Sequence, residues 1–232
     1  MTVVLVFLAV IAVIIAWWLA QQRLASKPWL EVGHAHDHRG IEPVPAAKVG
    51  LGVFLAVVGA LFTLFISAYF MRMASSDWSP LPLPRFLWIN TGILALSSGT
   101  LHWAKLEAER RNDEAARTSL LVALAAGLAF LVGQLFAWRA LSSAGYFLTS
   151  SPANSFFYML TGMHGLHIIG GIAVLARVIL RTWDAPIDRR AHLSIGLCAT
   201  YWHFMLAVWL VLFALFSGWA NDVVDLCRQL LT

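Results

Sequence analysis

Apolar residues come in six long runs separated by short polar breaks. The runs cover roughly 2–20, 50–71, 86–104, 118–139, 155–178 and 193–217. About 20 predominantly apolar residues suffice for a helix to cross a bilayer, so each run predicts a transmembrane helix. The first run has no basic residues before it, is too long for a signal-peptide core, and is followed by basic residues, so it reads as a retained helix. The stretch "SPLPLPR" at 79–85 breaks helix ahead of the third run, because proline lacks the donor a helix interior needs. The charged stretch "KLEAERRNDEAAR" at 105–117 reads as a solvated loop that extends the third helix. The expected fold is an all-α integral membrane protein, a polytopic bundle of about six transmembrane helices. Its expected parts are an N-terminal helix with a histidine-containing cytoplasmic loop (1–47), a five-helix bundle (48–217) and a short outer C-terminal tail (218–232).

Composition agrees: of 232 residues, 60% are hydrophobic and 12% charged, about half the charge of an average soluble domain. The net charge of +4 has a membrane explanation rather than a nucleic-acid one. Arg23, Lys27, Arg39, Lys48, Lys105, Arg110, Arg111, Arg117, Arg177, Arg181, Arg189 and Arg190 follow the first, third and fifth runs. Only Arg72, Arg85, Arg139 and Arg228 fall on the other side. The positive-inside rule then places both termini outside, in the periplasm of a bacterial inner membrane. Trp17, Trp18, Trp78, Trp88, Trp103, Trp138, Trp183 and Trp219 fall near run ends, the depth that amphipathic rings favour. Cys198 and Cys227 suggest neither a disulfide framework nor a thiolate metal site.

The acidic residues all lie outside the six runs. Ion-coupled pumps place carboxylates within the membrane, so a proton path through this chain alone is not expected. The polar groups inside the runs are mostly neutral: Asn90, Ser97, Ser98, Thr100 and His102, then Gln134, then Thr161, His164 and His167, then His203. His164, His167, Ile168 and Gly171 share a face at helical spacing. Gly162, Gly165, Gly170 and Gly171 supply small surface for close helix contact. One reading is a tight bundle joined by neutral hydrogen bonds, with its histidines neutral and free of metal. Another is a haem held by axial histidines, His167 and His203, whose depths match within error at about 1.5 Å per residue. The tract "HAHDHR" (His34, His36, Asp37, His38) reads as a solvated loop rather than a preorganised metal site.

Four segments carry a family resemblance: "FLWINTGILALSSGTLHWA", "FLVGQ", "FFYMLTGMHGLHIIGG" and "YWHFMLAVWLVLF". From about residue 48 to 217 the chain resembles subunit III of the haem-copper respiratory oxidases, the cytochrome c oxidase type. The resemblance implies a non-catalytic subunit with no cofactor of its own, haem and copper being held by a partner. It implies packing on catalytic subunit I, binding of phospholipid, and support of proton uptake and stability in aerobic respiration. It implies lipid-binding roles for His164, His167, Arg181 and His192, and a structural polar core of Asn90, Ser97, Gln134, Tyr201, Trp202 and His203; Trp209 also matches. Family carboxylates are replaced by Val58, Ala137, Gly196 and Leu206, and the first helix is an unmatched extra. The alternatives are an accessory subunit of a nitric oxide reductase or quinol oxidase, and a haem-binding electron carrier using His167 and His203.

Overall fold

The computed structural model describes residues 46–73, 75, 77–79, 81–82, 84–183 and 187–218. The first predicted span, the His34–His38 tract, Trp17, Trp18, Trp219 and the C-terminal tail lie outside the described residues. Five helices follow in order: α1 (Ala46–Met73), α2 (Phe86–Glu109), α3 (Asp113–Ser143), α4 (Pro152–Thr182) and α5 (Arg189–Phe216). The chain divides into two compact units, residues 1–67 and 68–232. In the first, α1 buries Leu55, Val58, Phe62 and Ile66, positions three and four apart on one helix face.

In the second unit α2 packs on α3 and α5, and α4 packs on α3 and α5. The four helices therefore close a ring around a shared interior. α1, α3, α4 and α5 are each long and apolar enough to cross a membrane. α2 has 24 residues, about 36 Å at 1.5 Å each, and is more polar. It turns that polarity inward, burying Asn90, Ser97 and Ser98.

The helices outrun the apolar runs because polar residues cap them. Asn112, Ser151 and Asp188 each accept a hydrogen bond from a first-turn amide, those of Ala115, Ala153 and Ala191. Pro152 stands at the first position of α4, where its missing donor costs nothing. Asp188→Ala is expected to cost about 1 kcal/mol, measured by unfolding in mixed micelles.

The charged stretch 105–117 differs from its expected form. It is a helix end, a tight reversal and a helix start rather than an open loop. Asn112 N–H donates to Glu107 O at 3.0 Å and Arg111 N–H to Ala108 O at 3.0 Å, the paired bonds of a Schellman stop. Arg111 takes the left-handed φ of 63° that this stop requires. The equivalent stop on α3 uses Gly145 at φ 88°. A side-chain-bearing residue pays about 1–2 kcal/mol in that region, so Arg111→Gly is expected to raise stability, by about 1 kcal/mol, in the same unfolding measurement.

The α2–α3 and α4–α5 turns meet at one end of the bundle. Ile187 N–H donates to Asp113 Oδ2 at 3.1 Å, and His192 Nε2–H to Ala108 O at 2.7 Å. Glu107 is buried there and accepts from Arg110 and from Asn112, each at 2.9 Å. Lys105, Arg110, Arg111, Arg117, Arg177, Arg181, Arg189 and Arg190 gather at this end. At the opposite end Tyr69 meets Trp78, Phe156 and Phe216 edge-on. Trp88, Trp103 and Trp183 are exposed as an interfacial belt requires. Trp138 instead donates to Thr161 Oγ1 at 3.1 Å and serves packing.

Candidate functional site

The interior of the ring is organised around Trp202 on α5, which is fully buried. Its Nε1–H donates to Ser97 Oγ on α2 at 2.8 Å, and Ser97 Oγ–H donates on to Ala123 O on α3 at 2.7 Å. Its ring lies over two glycines. A Cβ at Gly171 on α4 would stand 2.7 Å from Trp202 and 2.6 Å from Tyr201; one at Gly127 on α3 would stand 3.1 Å from Trp202. One side chain thus engages all three other helices. Tyr201, half-buried beside it, donates to His167 O at 2.7 Å.

Two further layers lie toward the opposite end. His164 is fully buried. Its Nε2–H donates to Met205 O at 3.0 Å, and its ring sits 5.0 Å from Trp209 and 5.7 Å from Phe130. Trp209 donates to Thr91 Oγ1 at 3.0 Å. Beyond it, the buried amides of Asn90 and Gln134 meet at 3.5 Å, with Asn90 Oδ1 and Gln134 Nε2 left without a hydrogen-bond partner. Asn90 Oδ1 rests against Gly133, where any Cβ would overlap it.

Asn90, Ser97, Gln134 and Trp202 therefore form a buried polar core, with Tyr201 at its edge. His203 does not belong to it. Two residues beyond Tyr201 it points about 200° around the helix and is exposed. There its Nδ1 lies 2.6 Å from Ser98 Oγ and its Nε2 3.3 Å from His102 Nδ1. His167 lies on α4, its Nδ1–H donating to Met163 O at 2.7 Å. The two histidines offered as an axial haem pair thus have different partners, His203 on α2 and His167 within its own helix. Among the described residues no three His, Cys, Asp or Glu side chains converge on a metal-sized point.

The residues expected to hold lipid are dispersed. Arg181, in the last turn of α4, is exposed, as is Arg177 one turn earlier. His167 is half-buried, and His164 presents no surface. Both ring nitrogens of His192 face carbonyl oxygens, Asp188 O at 2.8 Å and Ala108 O at 2.7 Å. Carbonyls only accept, so both bonds are made together only when both nitrogens carry hydrogen.

The glycines also sort differently from expectation. Only Gly171 of the four on α4 marks a forced approach. A Cβ at Gly162 or Gly165 would make ordinary contacts at 3.6 and 3.9 Å, and one at Gly170 would meet nothing. Gly165 is therefore not a position of forced approach. Gly127 and Gly133 on α3 were not singled out by sequence, since each stands alone among alanines and leucines.

A family model described as cytochrome c oxidase subunit III matches residues 1–221. The chain belongs to that family. The match takes in the first predicted span, which the quoted motifs had left outside. Among relatives of this subunit III chain, cytochrome c oxidase subunit 3 of Thermostichus vulcanus is 31% identical over 192 residues, covering 80% of this chain and 91% of the relative. That of Synechocystis sp. is 32% identical over 190 residues, 79% of each. A probable cytochrome c oxidase subunit 3 of Mycobacterium tuberculosis is 32% identical over 168 residues, 71% of this chain and 82% of the relative. Two of the four positions at which the resemblance implies carboxylates are buried and apolar here. Val58 lies in the α1 face, and Ala137 packs with Leu87, Leu141, Phe157 and Phe213.

Proposed function

We propose that this subunit III is the non-catalytic membrane subunit of a haem-copper terminal oxidase of the cytochrome c oxidase type. The family match over residues 1–221 carries the proposal. The relatives' names favour the cytochrome c oxidase type over a nitric oxide reductase or quinol oxidase. The chain packs on catalytic subunit I, which holds the haem and copper, and supports proton uptake by that partner. Its own interior is given over to neutral hydrogen bonds between helices. Such a subunit stabilises its neighbour without touching the reacting atoms. An oxidase prepared without this chain is expected to begin turnover at a near-normal rate and lose activity several times faster than the complete complex. An immediate, complete loss of oxygen reduction would contradict the non-catalytic role.

The membrane orientation belongs to the same reading. The cationic end, with Arg110, Arg111, Arg189 and Arg190 exposed, faces the cytoplasm. α2 crosses too, because it joins the Trp78 end to the cationic end. With the N-terminal span this makes six crossings and two periplasmic termini. Cysteines placed at Arg110 and Arg189 are expected to resist an impermeant maleimide added to intact cells; labelling of both would reverse the orientation.

Arg181 and Arg177, one turn apart on the exposed surface of α4, suit a phospholipid phosphate at the cytoplasmic interface, since a guanidinium grips phosphate with two parallel donors. His167 lies ten residues from Arg177 on the same helix, about 15 Å deeper, too far to share that phosphate, and His164 and His192 hold the frame. Charge-assisted phosphate bonds are worth about 1.5–3 kcal/mol. Arg181→Ala is expected to reduce co-purified anionic phospholipid, and unchanged lipid content in mild detergent would count against the site.

A further inference from the structure

Two bonds tie the α2–α3 turn to the start of α5. Ile187 N–H donates to Asp113 Oδ2 at 3.1 Å, and His192 Nε2–H donates to Ala108 O at 2.7 Å. The first donor is a backbone amide and keeps its hydrogen at any physiological pH. The second belongs to a ring that gains and loses a proton. The other ring nitrogen, Nδ1, lies 2.8 Å from Asp188 O. Each of these carbonyls already takes one backbone N–H at 3.0 Å, Ala108 O from Arg111 and Asp188 O from His192 itself. A carbonyl oxygen has two lone pairs, and the ring takes the second of each.

The charged groups around the ring are engaged elsewhere or face solvent. On α2, Glu107 is held by Arg110 and Asn112, and Glu109 lies 3.9 Å from Lys105. On α3, Asp113 takes the Ile187 amide, Glu114 is exposed, and Arg117 lies half-buried one turn further on. On α5 itself the Asp188 carboxylate caps the Ala191 amide, while Arg189 and Arg190 are exposed. Arg177 and Arg181, at the same end of α4, are exposed too. The ring therefore meets carbonyl dipoles rather than a carboxylate. Ala108 is buried in the last turn of α2, where the carbonyls form the negative end of the helix dipole and favour a cationic donor. The first turn of α5 opposes a cation by the same rule, but two charge-assisted hydrogen bonds outweigh a helix-end effect. A neutral ring has one N–H. It would satisfy one carbonyl and turn a lone pair toward the other, so one contact opens.

We propose that His192 is a pH-operated clasp between the α2–α3 turn and α5, closed while the ring carries both hydrogens and released when it loses one. The closed junction binds one proton more than the open one. Its stability is therefore complete on the acid side of the ring's titration and is lost as pH rises through it. Histidine is the side chain that ordinarily changes charge between about pH 5 and 8, so the clasp responds to the compartment that bathes the cationic end. Release leaves the Ile187–Asp113 bond as the one remaining link of the two, and the turn at 110–112 loosens while the rest of the bundle stays packed. This device goes beyond the oxidase-subunit reading and does not depend on it.

The test uses the full chain in lipid nanodiscs, with histidine ring nitrogens labelled for NMR and the His192 signals assigned by their absence from His192→Gln. Both His192 nitrogens are expected to carry hydrogen at about pH 5.5 and one of them at about pH 8.5, values that bracket the usual histidine range. Over the same interval, hydrogen-exchange protection of the Asn112 and Ile187 amides, corrected for the intrinsic pH dependence of exchange, should fall about fivefold, the worth of one hydrogen bond. His192→Gln, which does not titrate, should hold protection at one level across that interval. His192→Lys, which keeps its charge, should do so as well. Protection at residues deep in the bundle, such as Leu120 and Leu175, should not change with pH in any of the three proteins. A His192 ring that carries a single hydrogen at both pH values would overturn the clasp. So would parent protection that ignores pH, or the same pH dependence surviving in His192→Gln.

Discussion

Trp202→Ala is expected to lower the unfolding free energy of the bundle by about 3–5 kcal/mol, the range for truncating a buried large aromatic. The indole is fully enclosed and touches three helices besides its own. Its loss opens a void that no single helix can close without moving the others. In lipid the unfolded helices remain in an apolar solvent, so the loss is one of packing and hydrogen bonding rather than of transfer from water. Trp202→Phe keeps an aromatic ring but removes the donor to Ser97 and the outer ring atoms that lie against Gly127 and Gly171, so it should recover only part of the stability. Reversible unfolding in mixed micelles, followed by fluorescence or proteolysis, reads both variants. A Trp202→Ala protein as stable as the parent would mean that this ring does not join the helices.

Gly171→Leu attacks the same contact from α4. Even the first carbon of a side chain would stand 2.6 Å from Tyr201 and 2.7 Å from Trp202, well inside van der Waals contact, and both rings are held from behind. Tyr201 is fixed by its bond to His167 O and Trp202 by its bond to Ser97. Inserting bulk into a packed core costs about 1–3 kcal/mol when neighbours can yield. Here the neighbours are rigid rings, so the upper end or beyond is expected, with loss of assembled complex. Gly170→Leu, one residue away with open space around it, is the matched control and should be nearly neutral. Equal effects of the two substitutions would refute the contact.

Four of the spans, α1, α3, α4 and α5, were legible because membrane crossing depends on apolar length, which a linear reading measures directly. The helix ends were not, because Asn112, Ser151 and Asp188 extend helix by bonding first-turn amides, and polar residues at a boundary read as loop. The reversal at Arg111 was hidden for a related reason: a left-handed stop is signalled by glycine at Gly145 but by nothing at an arginine. Asn90, Ser97 and Gln134 stood out as polar groups in apolar runs, whereas Trp202 came from the family resemblance; all four are buried. The resemblance placed His203 with them, whereas the helix turns it to an exposed surface. The glycines failed most instructively. A run of small residues shows where a helix can approach, whereas Gly171, Gly127 and Gly133 matter because of the particular ring or amide on the facing helix.

The central claim, that the chain is a structural subunit of a haem-copper oxidase, is tested most directly by purifying it under an affinity tag from membranes in mild detergent, with its partners identified and an optical spectrum taken before and after they are stripped away. The account predicts a haem-copper catalytic subunit in equal amount, with haem bands that leave with that partner. A chain that stands alone and keeps a Soret band, or loses one on His167→Ala, would contradict it.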